Sequence, residues 1–288
     1  MTEKIKIVVV GHITLDEYDG KLVPGGSAYY CSRTYLALGA QVKLISTVGE
    51  NFEFIEVFND LDAFVKKIGQ TTQFKNIYKK DSIRQQISIA QAEPIRPDAI
   101  PEDFKQCDIL HLAPVLGEID IKLWVNLVKS RFVAVGLQGW LRRIDDSKIV
   151  LPKKCDISDE EFKKLNLVCL SEEDIQGQSE LLDRILKFVP TVALTHGKNG
   201  YDIYNDGIKN SYGVYRTVEI DPTGAGDVFA SGFFHGIASG KSDMEAGYLG
   251  AGLASVIIED VGGNALNRIS DGILRAKYID YEVVKSVF

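Results

Sequence analysis

The stretch Val218–Gly236, V-E-I-D-P-T-G-A-G-D-V-F-A-S-G-F-F-H-G, holds the most informative turn in the chain. Val218–Ile220 reads as a strand that stops at Asp221-Pro222. Thr223-Gly224-Ala225-Gly226 reads as a tight turn, and Asp227 opens an amphipathic helix that runs through Ala238. Two glycines around one alanine let the backbone bend sharply and come close to a ligand. N–H groups at the start of a helix lie at the positive end of its dipole, which makes the turn an anion site suited to phosphate. Asp227 then has two readings. It is an ordinary helix cap, or it is an ionised base beside a phosphate cradle, as phosphoryl transfer to a hydroxyl requires.

Two competing motifs fail. Gly224-x-Gly226 begins like a dinucleotide fingerprint, but Phe229 occupies the third glycine position and the motif sits far from a first βαβ unit. Gly236-Ile-Ala-Ser-Gly240-Lys241-Ser242 has three residues between its glycines where a nucleotide-binding P-loop needs four, and it follows a helix where a strand is required.

Working outward, the apolar strand Ile5–Val10 is followed by a second strand at Gln41–Val48, and short apolar runs at Ile109–Leu112, Phe132–Leu137, Leu167–Leu170 and Val192–Thr195 predict further strands. Helical patterns at Gly26–Leu38, Ile119–Lys129 and Ser179–Val189 lie between them. Apolar strands separated by helices predict an α/β fold with a mainly parallel central sheet covered on both faces. Phe74–Gln91 breaks the rhythm and reads as a hairpin turning at Lys80-Asp81-Ser82, with Ile83, Ile87 and Ile89 on one face. It is either an edge of the main sheet or a lid thrust out of the body. The chain has no repeat or low-complexity linker, so 1–288 reads as one domain with a small lid contributed by about 14–24 and 72–92.

The 288 residues carry 33 basic and 40 acidic side chains, a formal charge of −7. That balance argues against nucleic acid as the main partner. The four cysteines, Cys31, Cys107, Cys155 and Cys169, form no C-x-x-C pair and read as buried free thiols. His111, His196 and His235 share no metal spacing, so no zinc site is predicted. The sequence shows neither a signal-peptide pattern nor an apolar run of membrane-spanning length, and reads as cytoplasmic with no membrane partner. The open edge of the hairpin offers a surface for a homodimer.

D-P-T-G-A-G-D followed by F-A-S-G-F closely resembles the C-terminal signature of the ribokinase-like (PfkB) carbohydrate kinases. The resemblance continues upstream through Gly11-His-Ile-Thr-Leu-Asp16, the pair Gly25-Gly26 ahead of a helix, and Thr195-His-Gly197-x-x-Gly200, and so spans about residues 5–264. It implies a parallel sheet flanked by helices with a small β lid, and a kinase using ATP and Mg²⁺. In its terms Gly224, Ala225 and Gly226 form an anion hole and Asp227 is the catalytic base. Asp16, Gly25 and Gly26 bind substrate. Thr195, Gly197, Gly200, Thr223 and Asn264 bind nucleotide. Glu173 and Asp174 help to hold magnesium through water, and Asp221 lies near a monovalent-cation site found in some members.

Three places depart from the family pattern. Tyr30 stands where an Asn is usual, Ser171-Glu-Glu-Asp174 replaces an N-x-x-E motif, and Gly136-Leu-Gln138-Gly139-Trp140-Leu-Arg142 replaces an Asp-containing strand end. His12, Gln138 and Arg142 are candidate substrate contacts, against turn or surface roles. Tyr29 and Tyr30 read as half core and half pocket wall. The implied substrate is a small sugar or polyol. A nucleoside whose base stacks on the tyrosines is the alternative within enzymes, and a non-catalytic nucleotide or sugar sensor is the alternative outside them.

Overall fold

The computed structural model describes residues 3–78 and 84–279; the turn read at Lys80-Asp81-Ser82, with Ile83, lies outside the described residues. The chain first forms β1 (Lys6–Val10), β2 (Thr14–Tyr18), β3 (Lys21–Gly25), α1 (Ser27–Ala37) and β4 (Gln41–Val48). β5 (Asp62–Lys67), β6 (Gln73–Tyr78), β7 (Arg84–Ala90), β8 (Gln106–Leu112), α2 (Ile121–Leu127) and β9 (Lys129–Gly136) follow. Next come β10 (Arg142–Ile144), β11 (Val150–Pro152), α3 (Asp159–Phe162), β12 (Leu167–Ser171), α4 (Ser179–Leu186), β13 (Thr191–Thr195), β14 (Tyr201–Asn205) and β15 (Ile208–Tyr212). α5 (Ala225–Ala238), α6 (Asp243–Ile257) and α7 (Asp271–Arg275) close the described chain.

Nine strands form the main sheet in the order β15-β14-β13-β12-β9-β8-β1-β4-β5. The seven from β13 to β5 are parallel, and β14 and β15 complete one edge as an antiparallel hairpin. Alternation along β1 explains why both faces are covered. Ile7 and Val9 pack with α1 and α5 on one side, while Val8 and Val10 pack with Trp124 of α2, Phe162 of α3 and Ile185 of α4 on the other. The chain leaves β1 toward β4 and later returns to β8 on β1's other side, so a crevice opens at the carboxyl ends of β1 and β8. No helix among the described residues is long and apolar enough to cross a membrane.

The predicted hairpin belongs to a separate four-stranded sheet, β3-β2-β6-β7, which decides against an edge of the main sheet. β2 and β3 turn at Asp19-Gly20, both at positive φ, the backbone that a two-residue hairpin needs. β6 adds in parallel to β2, which places Phe74 opposite Asp16. The outer strand β7 is not open along its length. Ser88 N–H donates to Lys148 O (2.8 Å) and Ile87 bridges Ile149, so the turn between β10 and β11 covers part of the edge that was read as a dimer surface.

One predicted strand is absent. Val218–Ile220 is an extended loop beyond the sheet, with Val218 74% and Ile220 59% exposed. The N–H groups of Ile220 and Asp221 both donate to Ile258 O at the end of α6 (2.7 and 3.2 Å), so no strand ladder forms. Glu259 pins the loop by accepting from Thr217 while it pairs with Arg275 (2.8 Å) and Arg268 (3.1 Å). These partners hold its carboxyl at about 2, Arg275 contributing most.

The predicted helix at Ile119–Lys129 is shorter than its pattern. Asp120 caps it through Leu123 N–H, and Lys129 already begins β9. α5 and α6 lie so close that a Cβ on Gly232 would stand 2.8 Å from Gly250 Cα, which explains the small residues within F-A-S-G-F-F-H-G. All four cysteines are buried and free.

Candidate active site

Gly224 caps α5 in the left-handed region (φ 82°), and a Cβ there would also strike the Tyr30 ring at 2.5 Å. The first turn of a helix leaves its N–H groups without intrahelical acceptors. Here Ala225 N–H donates to Pro222 O (3.1 Å) and Val228 N–H to Gly224 O (2.9 Å), so the amides of Gly226 and Asp227 are the pair left to the opening. Ala225 therefore serves the turn and not the hole. Gly226 is exposed, and a Cβ built on it would meet nothing within 4 Å. Its missing side chain leaves an open cradle at the helix N-terminus, the space a phosphate group needs.

Asp227 is half-buried, and burial pushes its carboxyl up to about 6. The neighbouring Ser27 and the charge of Arg142 oppose that rise, while the charges of Asp174 and Asp16 add to it. Five side chains from four parts of the chain thus converge at the crevice. Ser27 was missed in the sequence. The available signal was its place directly after Gly25-Gly26, at the start of a helix whose cap, Gly26, has no side chain to offer.

Asp16 is buried on β2 and accepts from Thr14 Oγ1 (3.0 Å). The glycine pair beside it has an internal reason. A Cβ on Gly25 would stand 2.4 Å from Asp16 Oδ2, and one on Gly26 (φ 89°) would stand 2.7 Å from His12 O. Gly25 and Gly26 let the chain pass over Asp16 and the β1 exit.

Several predicted contacts have other roles. His12 is 0% exposed, with Nε2 3.0 Å from Glu93 O and Nδ1 3.1 Å from Thr72 Oγ1, so both ring nitrogens are spent within the protein. It pins the two roots of the β6–β7 hairpin to the end of β1, beside buried Glu118, which accepts from His12 N–H, Val115 N–H and Leu116 N–H. Tyr30 is 1% exposed and packs with Val228, Leu249 and Leu253, so it supports the turn from below and walls no pocket. Tyr29 lies against Gly263.

Arg142 is half-buried and donates from Nη1 to Gln86 Oε1 of β7 (3.5 Å), which joins the small sheet to the base. Gln86 Nε2 donates in turn to Asn76 Oδ1 (3.1 Å). Gln138 is half-buried on the 3-10 turn Leu137–Leu141 that leads to Arg142.

Thr195 ends β13, and the following loop uses positive φ at Gly197 (56°) and Gly200 (107°). Gly200 is required because a Cβ would stand 2.2 Å from Tyr212 O. His196 lies in this loop between Glu172 and Asp202, 2.9 Å from each. The Thr223 hydroxyl donates to Asp221 Oδ1 (2.7 Å), so it braces the turn. Asn264 borders a cleft of about 520 Å³ with Tyr29, Arg33, Asp60 and Asn267, and none of the other predicted nucleotide residues borders that cleft.

Asp174 Oδ2 accepts from Ser171 N–H and Oγ (both 2.8 Å), so Ser171 and Asp174 close a local turn, while Glu173 is exposed. No cluster of three or more metal-ligating side chains occurs among the described residues. A magnesium ion carried by a nucleotide needs only one or two carboxylates, because phosphates and water complete its shell. Asp16, Asp174 and Asp227 outnumber Arg142 around the crevice, a surplus of negative charge that fits such an ion arriving with an anionic donor.

The model of the pfkB family of carbohydrate kinases matches residues 157–269. The chain is 31% identical to a nucleoside kinase of Methanothermobacter thermautotrophicus, over 91% of this chain and 92% of the relative. It is 27% identical to a cytidine kinase of Thermococcus kodakarensis, over 90% of this chain and 98% of the relative. Among solved structures, a pyrophosphate-dependent kinase in the ribokinase family, complexed with a pyrophosphate analog and myo-inositol, superposes with a TM-score of 0.73. That match has 21% identity and covers 89% of this chain and 96% of the other.

Proposed function

The chain belongs to the pfkB family of carbohydrate kinases, and from that premise we infer that it transfers the γ-phosphoryl group of ATP to a nucleoside hydroxyl, with Asp227 as general base. Phosphotransfer to a hydroxyl of a sugar, polyol or nucleoside is the family's activity. One observation carries the residue assignment: a carboxylate held near 6 stands beside the open cradle at Gly226, at the N-terminus of α5. A base whose pKa lies near the working pH combines the right protonation state with a useful driving force.

In this reading the acceptor lies between Asp16 and the small sheet, with its reacting hydroxyl at Asp227. Asp227 takes the hydroxyl proton as the oxygen attacks. The amides of Gly226 and Asp227, with Arg142, hold the transferring group and meet the charge that spreads over its oxygens. The β3-β2-β6-β7 sheet covers the site and excludes water, which suppresses hydrolysis of the donor. Magnesium bound with the nucleotide would neutralise phosphate charge, held by Asp174 and, through water, Glu173.

The nucleoside acceptor rests on two relatives, a nucleoside kinase and a cytidine kinase, each matched over nine-tenths or more of its length. Stacking on Tyr30 has no part in it, since that ring is core. A polyol is the second reading. It is favoured by the row Arg142–Gln86–Asn76, whose amides and guanidinium suit hydroxyl groups.

The test is ADP release from ATP–Mg²⁺ with a panel of nucleosides, sugars and polyols including myo-inositol, and with pyrophosphate as a second donor. Turnover with a nucleoside supports the reading, and turnover confined to a polyol moves it to the second. Failure with every acceptor and both donors, despite nucleotide binding, overturns it in favour of a sensor.

A further inference from the structure

Asp221 links two parts of the site that lie far apart in sequence. Its side chain is 3% exposed, and its carboxylate accepts four hydrogen bonds from donors among the described residues. Thr223 N–H (3.0 Å) and Thr223 Oγ1 (2.7 Å) donate to Oδ1, while Tyr18 Oη (2.8 Å) and Gly262 N–H (2.9 Å) donate to Oδ2. A carboxylate has about four lone-pair sites, so these donors saturate it. Each donor also directs a partial positive charge at the carboxylate, the environment a cation avoids. The monovalent-cation site implied at Asp221 by the family resemblance therefore does not fit the residues present. The donors hold the Asp221 carboxyl below its usual range against the opposing effect of burial.

Tyr18 ends β2, in the small sheet, and Asp221 begins the turn that delivers Gly226 and Asp227. The phenol's own ionisation is pushed up, mainly by burial, so it stays an O–H donor throughout the neutral range. We propose that Tyr18 is a positioning residue that takes the place of a monovalent cation at Asp221 and couples the seating of the small sheet to the geometry of the anion turn. When the sheet is seated, Tyr18 completes the carboxylate's donors and the turn is held. When the sheet lifts, one oxygen of a buried carboxylate loses a partner and the turn loosens. The turn's hold on the transferring phosphoryl group in the transition state is thereby reserved for the covered site, where water is excluded. The proposal rests on the kinase reading of the 224–227 turn.

Two measurements test it. Wild-type turnover is expected to agree within about twofold in potassium and choline salts, because a saturated carboxylate has no need of the ion. Tyr18→Phe is expected to lower kcat roughly tenfold, the factor one hydrogen bond supplies, with KM for donor and acceptor nearly unchanged. In the same variant without ligands, exchange of the hydrogen-bonded amides of Thr223 and Ala225 is expected to quicken by a similar factor while β8 and β9 keep native protection. Strong activation of the wild type by potassium would overturn the proposal whether or not the variant folds. So would native kcat and native exchange in Tyr18→Phe. The exchange arm needs no turnover, so a failure of the kinase reading, seen as wild-type inactivity or a fully active Asp227→Asn, is told apart from a failure of this one.

Discussion

Ser27, in the first turn of α1, stands beside the carboxylate of Asp227, in the first turn of α5, and favours its ionised form. Two helix N-termini therefore meet at the residue read as the base. Their dipoles favour negative charge at the point where a donor phosphate would lie. Burial raises the Asp227 carboxyl to about 6 despite this neighbour.

kcat/KM should accordingly rise with pH and level off above an acid limb near pH 6. Removing a donor that favours the ionised form raises a carboxyl pKa. Ser27→Ala and Arg142→Met should each move the limb to higher pH. Rate profiles between pH 4.5 and pH 9 would check this, and a limb that stays put in both variants would contradict it.

The two glycines of the turn should respond differently to alanine. At Gly224 a side chain meets both a left-handed backbone and the Tyr30 ring. Gly224→Ala should cost about 1–3 kcal/mol or more of stability. At Gly226 a Cβ has open space. Gly226→Ala should keep native thermal stability while losing most of its turnover, because the methyl group occupies the cradle. Paired unfolding and rate measurements separate the cases.

Asp227 should weaken the fold at neutral pH. Its folded pKa lies above the unfolded value, so the folded state binds the proton more tightly and stability falls as pH rises from about 4 to about 6. Asp227→Asn should therefore melt higher than the wild type at pH 7.5, with the gain gone at pH 4. An equal difference at both values would show that ionisation is not its source.

The Tyr30 hydroxyl is buried without a hydrogen-bond partner among the described residues. Tyr30→Phe should change stability by no more than about 1 kcal/mol, and in the stabilising direction. KM for the acceptor should not move. A large KM change would return Tyr30 to the pocket wall.

The parallel sheet was legible because the bodies of β1 and β12 are continuous apolar runs, Ile7–Val10 and Leu167–Leu170. The cradle was legible because its chemistry is local, four residues at one helix start. Val218–Ile220 misled because β-branched side chains signal a strand only where a neighbouring strand offers an edge. This segment lies past the last strand of the sheet and leans on Ile258. His12 misled for a related reason. Its position after β1 pointed to ligand, but Thr72 and Glu93 close over it from 60 and 81 residues away. Tyr18 and Asp221 stand 203 residues apart, and no spacing rule joins them before the chain is folded.

The most direct test of the account is the turnover of Asp227→Asn with ATP–Mg²⁺ and the best acceptor, measured beside its affinity for nucleotide. The account predicts a loss of about 10²–10⁴-fold in kcat, the usual contribution of a general base, with nucleotide affinity nearly native. A variant that turns over at close to the wild-type rate would show that Asp227 is a helix cap and that the base lies elsewhere.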